Sequence, residues 1–566
     1  MLGDPKFKIF LDLINGATKD ELIWMNGYLN GVVQGQLPKQ TAAPAESSPA
    51  VNKITIVYGT ETGNSKRLAT DFATKAKQQH IHAKVVGMDQ YRLADLSKEE
   101  YLLAVVSTHG EGEPPLAAKK FYDHIHKNGF KLEKLKYSVL ALGDTSYPLY
   151  CKTGEEVDEQ LNKLGGERIA PLQKCDVEYE EEANGWFSNV LQQLSAPKGV
   201  QAPVIAAPVV AKKVGKQKYT GTVLTRINLN DHGSNKETWH IEIAADGIEY
   251  QCGDSIGIVP DNPTVVVEEI LAVTGIDGNR KVTFKNEEVT IYDLLKHKIN
   301  IIHLTERLVK QYAETVKQDI PATRMNLLDL LKIYPVKDVA QFEEIVTKLN
   351  AISPRLYTIA SAPSAHEGEV HIVVVKDEYF VNGESKFGLC SDYLSELPVD
   401  GKQNFFVQAN KRFRLPAPEK DIIMVGPGTG IAAFRSFLAE RDATGASGRN
   451  WLFFGDQHFT TDFLYQTEIQ NWYETGVLTK VNLAFSRDQQ EKIYVQHKML
   501  QHAAELYQWL DGGGYFFVCG TKDPMSIDVE KTLLKIIAEQ GNKTPEEAQK
   551  YLEHLEEEGR YEKDVY

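Results

Sequence analysis

"VYGTETGNSKRLA" (Val57–Ala69) leaves an apolar strand, crosses a hydroxyl-rich turn and enters a helix. A turn of this kind sets free N–H groups at a helix N-terminus, where the helix dipole also favours an anion. Thr60, Thr62, Asn64 and Ser65 supply the polar side chains, and Glu61 and Gly63 complete the turn. A P-loop has a longer turn and a Lys after its Gly; neither is present, so a triphosphate is disfavoured and a phosphate monoester fits. Taken alone, the turn reads more readily as an ordinary capped helix.

The flanking sequence changes that reading. Residues 53–195 alternate helical segments with the apolar runs "KITIVYG" (53–59), "HAKVVGM" (82–88), "YLLAVVSTHG" (101–110) and "YSVLALG" (137–143). This is the rhythm of a doubly wound parallel sheet. Ligands of open α/β sheets bind beyond the carboxyl ends of the strands. There "STHGEGEPP" (107–115) offers Ser107, Thr108, His109 and Gly110. "LGDTSYPLYC" (142–151) offers Leu142, Gly143, Asp144, Thr145, Ser146, Tyr147 and Cys151. The three loops together resemble flavodoxin across 53–195. The resemblance implies FMN, with its phosphate on Thr60–Ser65, its ring between the two later loops, and Tyr147 stacking on it. His109 stands where related diflavin reductases carry Tyr or Gln.

With 566 residues the chain exceeds a single hydrophobic core, and roughly three or four domains are expected. A net charge of -15 argues against nucleic acid and anionic membranes and leaves room for a basic protein partner. Part of that charge lies in "CDVEYEEEANGW" (175–186), either a solvated loop or a docking surface. The five scattered cysteines include no CxxC, which disfavours a disulfide framework, zinc or a cysteine-bound iron–sulfur cluster and fits a reducing compartment. No run approaches the length of a membrane span and no basic region precedes an apolar core at the N-terminus; a cytoplasmic location is expected. Residues 1–50 read as a helical extension, "DELIWMNGYLNGVV" (20–33) placing Leu22, Met25, Leu29 and Val32 near one face, and then a Pro/Ala/Ser-rich linker. The expected domains are then 51–195, a linker at 196–217, a β-rich unit at 218–416 with a helical insert at about 264–350, and a second βα alternation at 417–566.

"RLYTIASAP" (355–363) sets Arg355 and Tyr357 on one face of a strand, a cation for pyrophosphate and a ring for stacking, with Leu356 and Thr358 between and beyond. "FGLCSDYL" (387–394) then puts Gly388, Leu389, Cys390 and Ser391 at a helix start, a second anion site. As a pair they resemble the FAD-binding barrel of the ferredoxin–NADP reductase superfamily, which also implies Val373, Val374, Val375 and Tyr379 beside the cofactor. "DIIMVGPGTGIAAFRSFL" (421–438) is a strand, a Gly turn holding Gly428 and Thr429, and a helix, although Ile431 departs from GxGxxG. "FSRDQQEKIYVQH" (485–497) carries Ser486, Arg487, Lys492, Ile493, Tyr494, Val495 and Gln496. Two cations, a hydroxyl and a phenol suit a 2′-phosphate. The string resembles the superfamily's NADPH-selective signature, which adds Asp528. The same resemblance implies a hydride-transfer cluster of Thr358, Cys519 and Asp564, the Cys orienting rather than attacking.

From residue 53 onward the chain resembles the diflavin reductases: a flavodoxin-like sheet, an FAD barrel with a helical insert, and an α/β NADP-binding domain. Among them it is most similar to the flavoprotein components of assimilatory NADPH–sulfite reductases, through "DELIWMNGYLNGV" and the ending "YEKDVY", with no membrane anchor and no fused haem domain. That resemblance implies electrons passing from NADPH through FAD and FMN to a sirohaem-containing haemoprotein subunit, and self-association through the N-terminal extension. A soluble reductase serving a monooxygenase or another haem acceptor shares most of these features. A non-catalytic flavin-binding scaffold leaves the Thr358/Cys519/Asp564 set unexplained. The family also implies that the terminal Tyr566 covers the flavin ring and moves aside for nicotinamide. Deleting Tyr566 is expected to weaken NADPH/NADH discrimination and to alter the flavin spectrum; steady-state kinetics with both nucleotides check this, and a deletion that changes neither leaves the tail without a role.

Overall fold

The computed structural model describes residues 51–195 and 217–566, apart from positions 61, 62, 111, 128, 129, 146, 148, 178, 322–324, 382 and 383. The expected N-terminal helix, most of the second linker, and Glu61, Thr62 and Ser146 lie outside the described residues.

The first unit is a sheet of β1 (Lys53–Gly59), β2 (His82–Gly87), β3 (Tyr101–Ser107), β4 (Lys136–Leu142), β5 (Glu167–Arg168) and β6 (Gln173–Cys175). Its order is β2-β1-β3-β4-β5, with β6 also paired to β4, and every pair is parallel. Strands covered on both faces read as continuous apolar runs, and Leu102–Val106 of β3 are all buried. Helices α1 (Asn64–Gln78) and α4 (Glu180–Ser195) cover one face through Leu68, Phe72, Trp186 and Phe187. Helices α2 (Leu116–Ile125) and α3 (Lys152–Lys163) cover the other through Phe121, Ile125, Val157 and Leu161. The loops after β1, β3 and β4 therefore meet at one end of the sheet.

The second unit begins with β7 (Lys218–Asn228), β8 (Thr238–Ala244) and β9 (Ser255–Ile258). An insert follows: α5 (Thr264–Thr274), the hairpin β10 (Lys281–Phe284) and β11 (Glu287–Thr290), then α6 (Glu306–Val316), α7 (Leu327–Ile333) and α8 (Val339–Lys348). It has its own core around Leu294, Tyr312, Leu330 and Phe342. Its Arg307 lies 3.7 Å from Glu156 of the first unit. The chain returns through β12 (Arg355–Thr358), β13 (Glu369–Val375), the hairpin β14 (Glu378–Val381) and β15 (Glu384–Phe387), α9 (Leu389–Ser395) and β16 (Lys402–Gln408). The antiparallel order β12-β9-β16-β7-β8-β13 leaves β12 and β13 as edges. An Ile359–Ile372 bridge, with Ala360 N donating to His371 O at 2.8 Å, joins them and closes a barrel, which removes both edges.

The third unit runs β17 (Ile422–Val425), α10 (Ile431–Ala443), β18 (Asn450–Asp456), α11 (Gln466–Thr475), β19 (Lys480–Phe485), α12 (Val495–Gln501), α13 (Ala503–Asp511), β20 (Tyr515–Gly520), α14 (Ile527–Gln540), α15 (Pro545–Glu557) and β21 (Tyr561–Val565). Its parallel order is β19-β18-β17-β20-β21. The tail joins this sheet through its backbone, as the edge strand β21. Tyr561 is buried in the core beneath it.

Barrel and nucleotide sheet share one core. Cys252, Ala360, Ala362, Val373 and Phe413 pack in the same cluster as Phe434, Phe437 and Phe517. The Phe413 ring lies 5.3 Å from Phe517 and 5.5 Å from Phe437. Close packing also dictates Gly430 at the start of α10, since a Cβ there would sit 2.1 Å from the Cys519 carbonyl oxygen. Gly430→Ala is therefore expected to cost about 1–3 kcal/mol by pushing α10 off β20. Thermal unfolding checks this, and an unchanged melting temperature rules the contact out.

Candidate functional site

Gly63 caps α1 with φ 91°, a left-handed conformation that glycine adopts without strain, and its N–H donates to Thr60 Oγ1 at 2.9 Å. Behind it Ser65 is fully buried, and its hydroxyl finds no hydrogen-bond partner among the described residues. Thr153, at the start of α3, is in the same position, while its N–H donates to Thr108 Oγ1 at 3.1 Å. A Cβ on Gly63 or Gly110 would meet nothing within 4 Å, so the space above both turns is open. Orphaned hydroxyls beside a free helix terminus fit a phosphate-bearing ligand.

The loop after β4 doubles back so tightly that a Cβ on Gly143 would lie 2.8 Å from Cys151 N. Cys151 itself has φ 56° and points its Sγ inward, 3.3 Å from Ala141 O. Burial pushes its thiol up to about 12. Any contact from Cys151 to a ligand thus falls to its backbone. Tyr147 is half-buried, and His109 is exposed with its backbone paired to Glu113. Asp144 lies in the same turn, its carbonyl accepting from Tyr147 N at 3.0 Å. Thr145 donates to Asp176 through its hydroxyl at 2.6 Å and its N–H at 3.1 Å. Glu180 pairs with Arg67 at 3.2 Å. Two members of the acidic run are thus engaged in holding the loops of their own unit.

On β12, Arg355 and Leu356 are exposed and Tyr357 and Thr358 half-buried. Gly388 caps α9, with Leu389 and the buried Cys390 in its first turn. The Ser391 hydroxyl donates to Gly388 O at 3.0 Å and accepts from Asp377 N at 3.1 Å. Val373 and Val374 are buried and Val375 is exposed at the strand end. Tyr379 lies 3.4 Å from His303 of the insert.

Gly428 and Thr429 form the turn before α10. Ser486 and Arg487 follow β19, and their N–H groups donate to Asp456 O and Gln457 O. Arg487 and Lys492 are exposed and have no ion-pair partner among the described residues. Tyr494 caps α12 with its ring exposed, Val495 is buried, and Ile493 and Gln496 are half-buried between them. Asp528, in the first turn of α14, lies 3.9 Å from Lys531. Two unpaired cations on one loop suit a doubly charged phosphate.

The units converge on one carboxylate. Thr358 Oγ1, 206 residues distant in the chain, donates to Asp564 Oδ2 at 2.8 Å, and Cys519 Sγ lies 3.9 Å from the same oxygen. The parallel register of β20 and β21 sets Cys519 directly beside Asp564. Burial raises the Asp564 pKa, against the opposing hydrogen bonds of Thr358 and Cys519. Burial, then the Asp564 charge, raises the Cys519 thiol well above its usual value, so it is no thiolate nucleophile. Beyond them the Tyr566 hydroxyl lies 2.5 Å from Thr429 Oγ1, its N–H donates to Gly520 O at 3.1 Å, and its ring remains 62% exposed.

A carboxyl held above its unfolded value weakens the fold as pH rises from about 4 through its folded value. Removing the Thr358 hydroxyl raises Asp564 further. Thr358→Ala is therefore expected to cost about 1–3 kcal/mol near neutral pH and less near pH 5, read as a fall in melting temperature that widens with pH. A pH-independent fall would show that Asp564 does not depend on Thr358.

Family models match three stretches of the chain: flavodoxin at 56–186, FAD binding domain at 211–318 and 296–393, and oxidoreductase NAD-binding domain at 424–531. The chain is 42% identical to the sulfite reductase (NADPH) flavoprotein alpha-component of Bacillus subtilis (strain 168), over 98% of this chain and 97% of that protein. It is 37% identical to the proteins of that name from Shewanella sp. (strain ANA-3), over 100% and 98%, and Vibrio vulnificus (strain CMCP6), over 100% and 96%. Its cofactors are FMN on the flavodoxin sheet, FAD on the barrel and NADPH on the nucleotide sheet. The chain is an NADPH-dependent diflavin oxidoreductase and belongs to the sulfite reductase (NADPH) flavoprotein alpha-component family.

Proposed function

We propose that this chain delivers electrons from NADPH, by way of FAD and then FMN, to the haemoprotein subunit of a sulfite reductase, whose sirohaem centre reduces sulfite to sulfide. The observation that carries the reading is the meeting of Thr358 from the barrel with Cys519 and Asp564 from the nucleotide sheet, at the seam where a flavin ring and a nicotinamide have to face each other. Bound flavins supply the conversion of a two-electron hydride into single electrons. The chain's own residues bind and orient. Ser65, Thr60 and the α1 amides hold the FMN phosphate, Arg355 the FAD pyrophosphate, and Arg487 and Lys492 the 2′-phosphate that separates NADPH from NADH. Thr358 keeps the Asp564 carboxyl aimed into the seam, and the protonated Cys519 gives that site a neutral, polarisable wall. Tyr566, tethered at both its hydroxyl and its backbone, covers the flavin face and yields to nicotinamide.

Units at 51–195, 218–416 and 417–566, joined by a tether at 196–217, let the FMN unit reach both FAD and an acceptor. Self-association through the N-terminal extension and a cytoplasmic location complete the reading; no helix among the described residues is long and apolar enough to cross a membrane. The test is addition of purified chain, loaded with both flavins, to a sulfite reductase haemoprotein. Sulfite-dependent NADPH oxidation with sulfide release is expected. Reduction of cytochrome c without any sulfite-dependent turnover would move the assignment to a reductase for another haem acceptor.

A further inference from the structure

Helix α10 carries a buried cation that none of the cofactor loops uses. Arg435 is 6% exposed, and its guanidinium leaves the nucleotide sheet for the barrel. Nη1 donates to Ala360 O at 2.9 Å and to His371 Nδ1 at 3.2 Å. Nε and Nη2 form a fork on Glu468 of α11 at 2.7 and 3.0 Å, beside the Tyr465 ring. The Tyr465 hydroxyl in turn lies 2.7 Å from His240 Nδ1 on β8. These bonds cross between the two units, and they land where the Ile359–Ile372 bridge closes the barrel.

His240, Glu242 and His371 offer ligand-type atoms within 4.8 Å of one another, yet a metal does not suit them. His371 Nε2 is bonded to Glu369 at 2.9 Å and His240 Nε2 to Glu242 at 3.0 Å, so all four ring nitrogens are engaged. The adjoining guanidinium already supplies the positive charge. Burial and then Arg435 push His371 down to about 2, and lower His240 in the same order. Both rings are neutral, each with one donor and one acceptor, and the acceptor of His371 faces Arg435.

Helix α10 touches the reaction site twice. Its first turn is pressed on the Cys519 carbonyl through Gly430, and Arg435 grips Ala360, two residues beyond Thr358. At a rise of about 1.5 Å per residue these two grips are only about 7.5 Å apart along the helix. We propose that Arg435 is a positioning residue for hydride transfer: held by its fork on Glu468, its Nη1 bonds to Ala360 and His371 fix the flavin strand, and with it Thr358, in register with Asp564 and the nucleotide turn. This rests on the placement of hydride transfer at the Thr358–Asp564 seam. A planar fork can hold two acceptors and a carboxylate at once, which an ammonium cannot do in the same geometry.

Arg435→Lys keeps the charge beside Glu468 and loses the fork. Stopped-flow reduction of FAD is followed with NADPH and with NADPH deuterated at the transferred position, alongside NADP⁺ binding and amide hydrogen exchange of residues 358–361 in flavin-free protein. FAD reduction is expected to slow by about tenfold or more, since displacements of an ångström or less carry such losses. A larger isotope effect, retained NADP⁺ affinity and faster exchange at 358–361 are expected with it. Unchanged FAD reduction overturns the proposal, as does a loss that merely tracks lost FAD and NADP⁺ binding. If Arg435→Lys does not retain FAD, Glu468→Gln loosens the same guanidinium, and wild-type reduction rates in that variant overturn it equally. A wild-type protein whose FAD is not reduced by NADPH would instead defeat the placement of the seam itself.

Discussion

The packing of Phe413 between barrel and nucleotide sheet is the constraint on which the reductase half depends. Gly253, at φ 94°, admits the Phe413 carbonyl to a position where any Cβ would collide with it at 1.9 Å. Asp254 then accepts from Asn410 N at 2.9 Å and pairs with Arg414, which pins the 410–414 segment. The Asp254 carbonyl also accepts from Ile359 N, one residue past Thr358. One short stretch of backbone thus fixes the aromatic plug and the flavin strand together. Two units with separate sheets behave as one body at the place where chemistry requires sub-ångström placement.

The two charged side chains that bridge that junction, Arg435 and Asp564, are matched rather than merely hidden. Arg435 meets a carboxylate, a carbonyl and a neutral imidazole, and Asp564 meets a hydroxyl and a thiol. Such groups are costly when unpaired and specify geometry when satisfied. At the cofactor loops the Ser65 and Thr153 hydroxyls lack partners among the described residues, and Arg487 and Lys492 are open to solvent.

Much of this was legible in local sequence. The βα rhythm, the Gly63 turn and the paired Arg355 and Tyr357 are short-range signals, and so is the cationic loop after β19. What escaped is long-range. Barrel closure joins residues 359 and 372 across a loop, and Arg435 reaches back 75 positions to Ala360, distances over which periodicity is silent. The bond from Asp377 N to the Ser391 hydroxyl is equally silent in the sequence, because Asp377 lies in an unpatterned link between strands. Strand β21 carried no periodic signal, since YEKDV sets three charged residues between Tyr561 and Val565, and its place is fixed by pairing with β20.

That last strand also orders events in time. Chains emerge from synthesis N-terminal part first, so the flavodoxin sheet and most of the barrel can fold before the nucleotide sheet is complete. Asp564 lies on β21, and its place beside Cys519 exists only once β21 has been added to β20. The seam is therefore finished by strand pairing: until β21 lies on β20, the Asp564 carboxyl has no place beside Cys519.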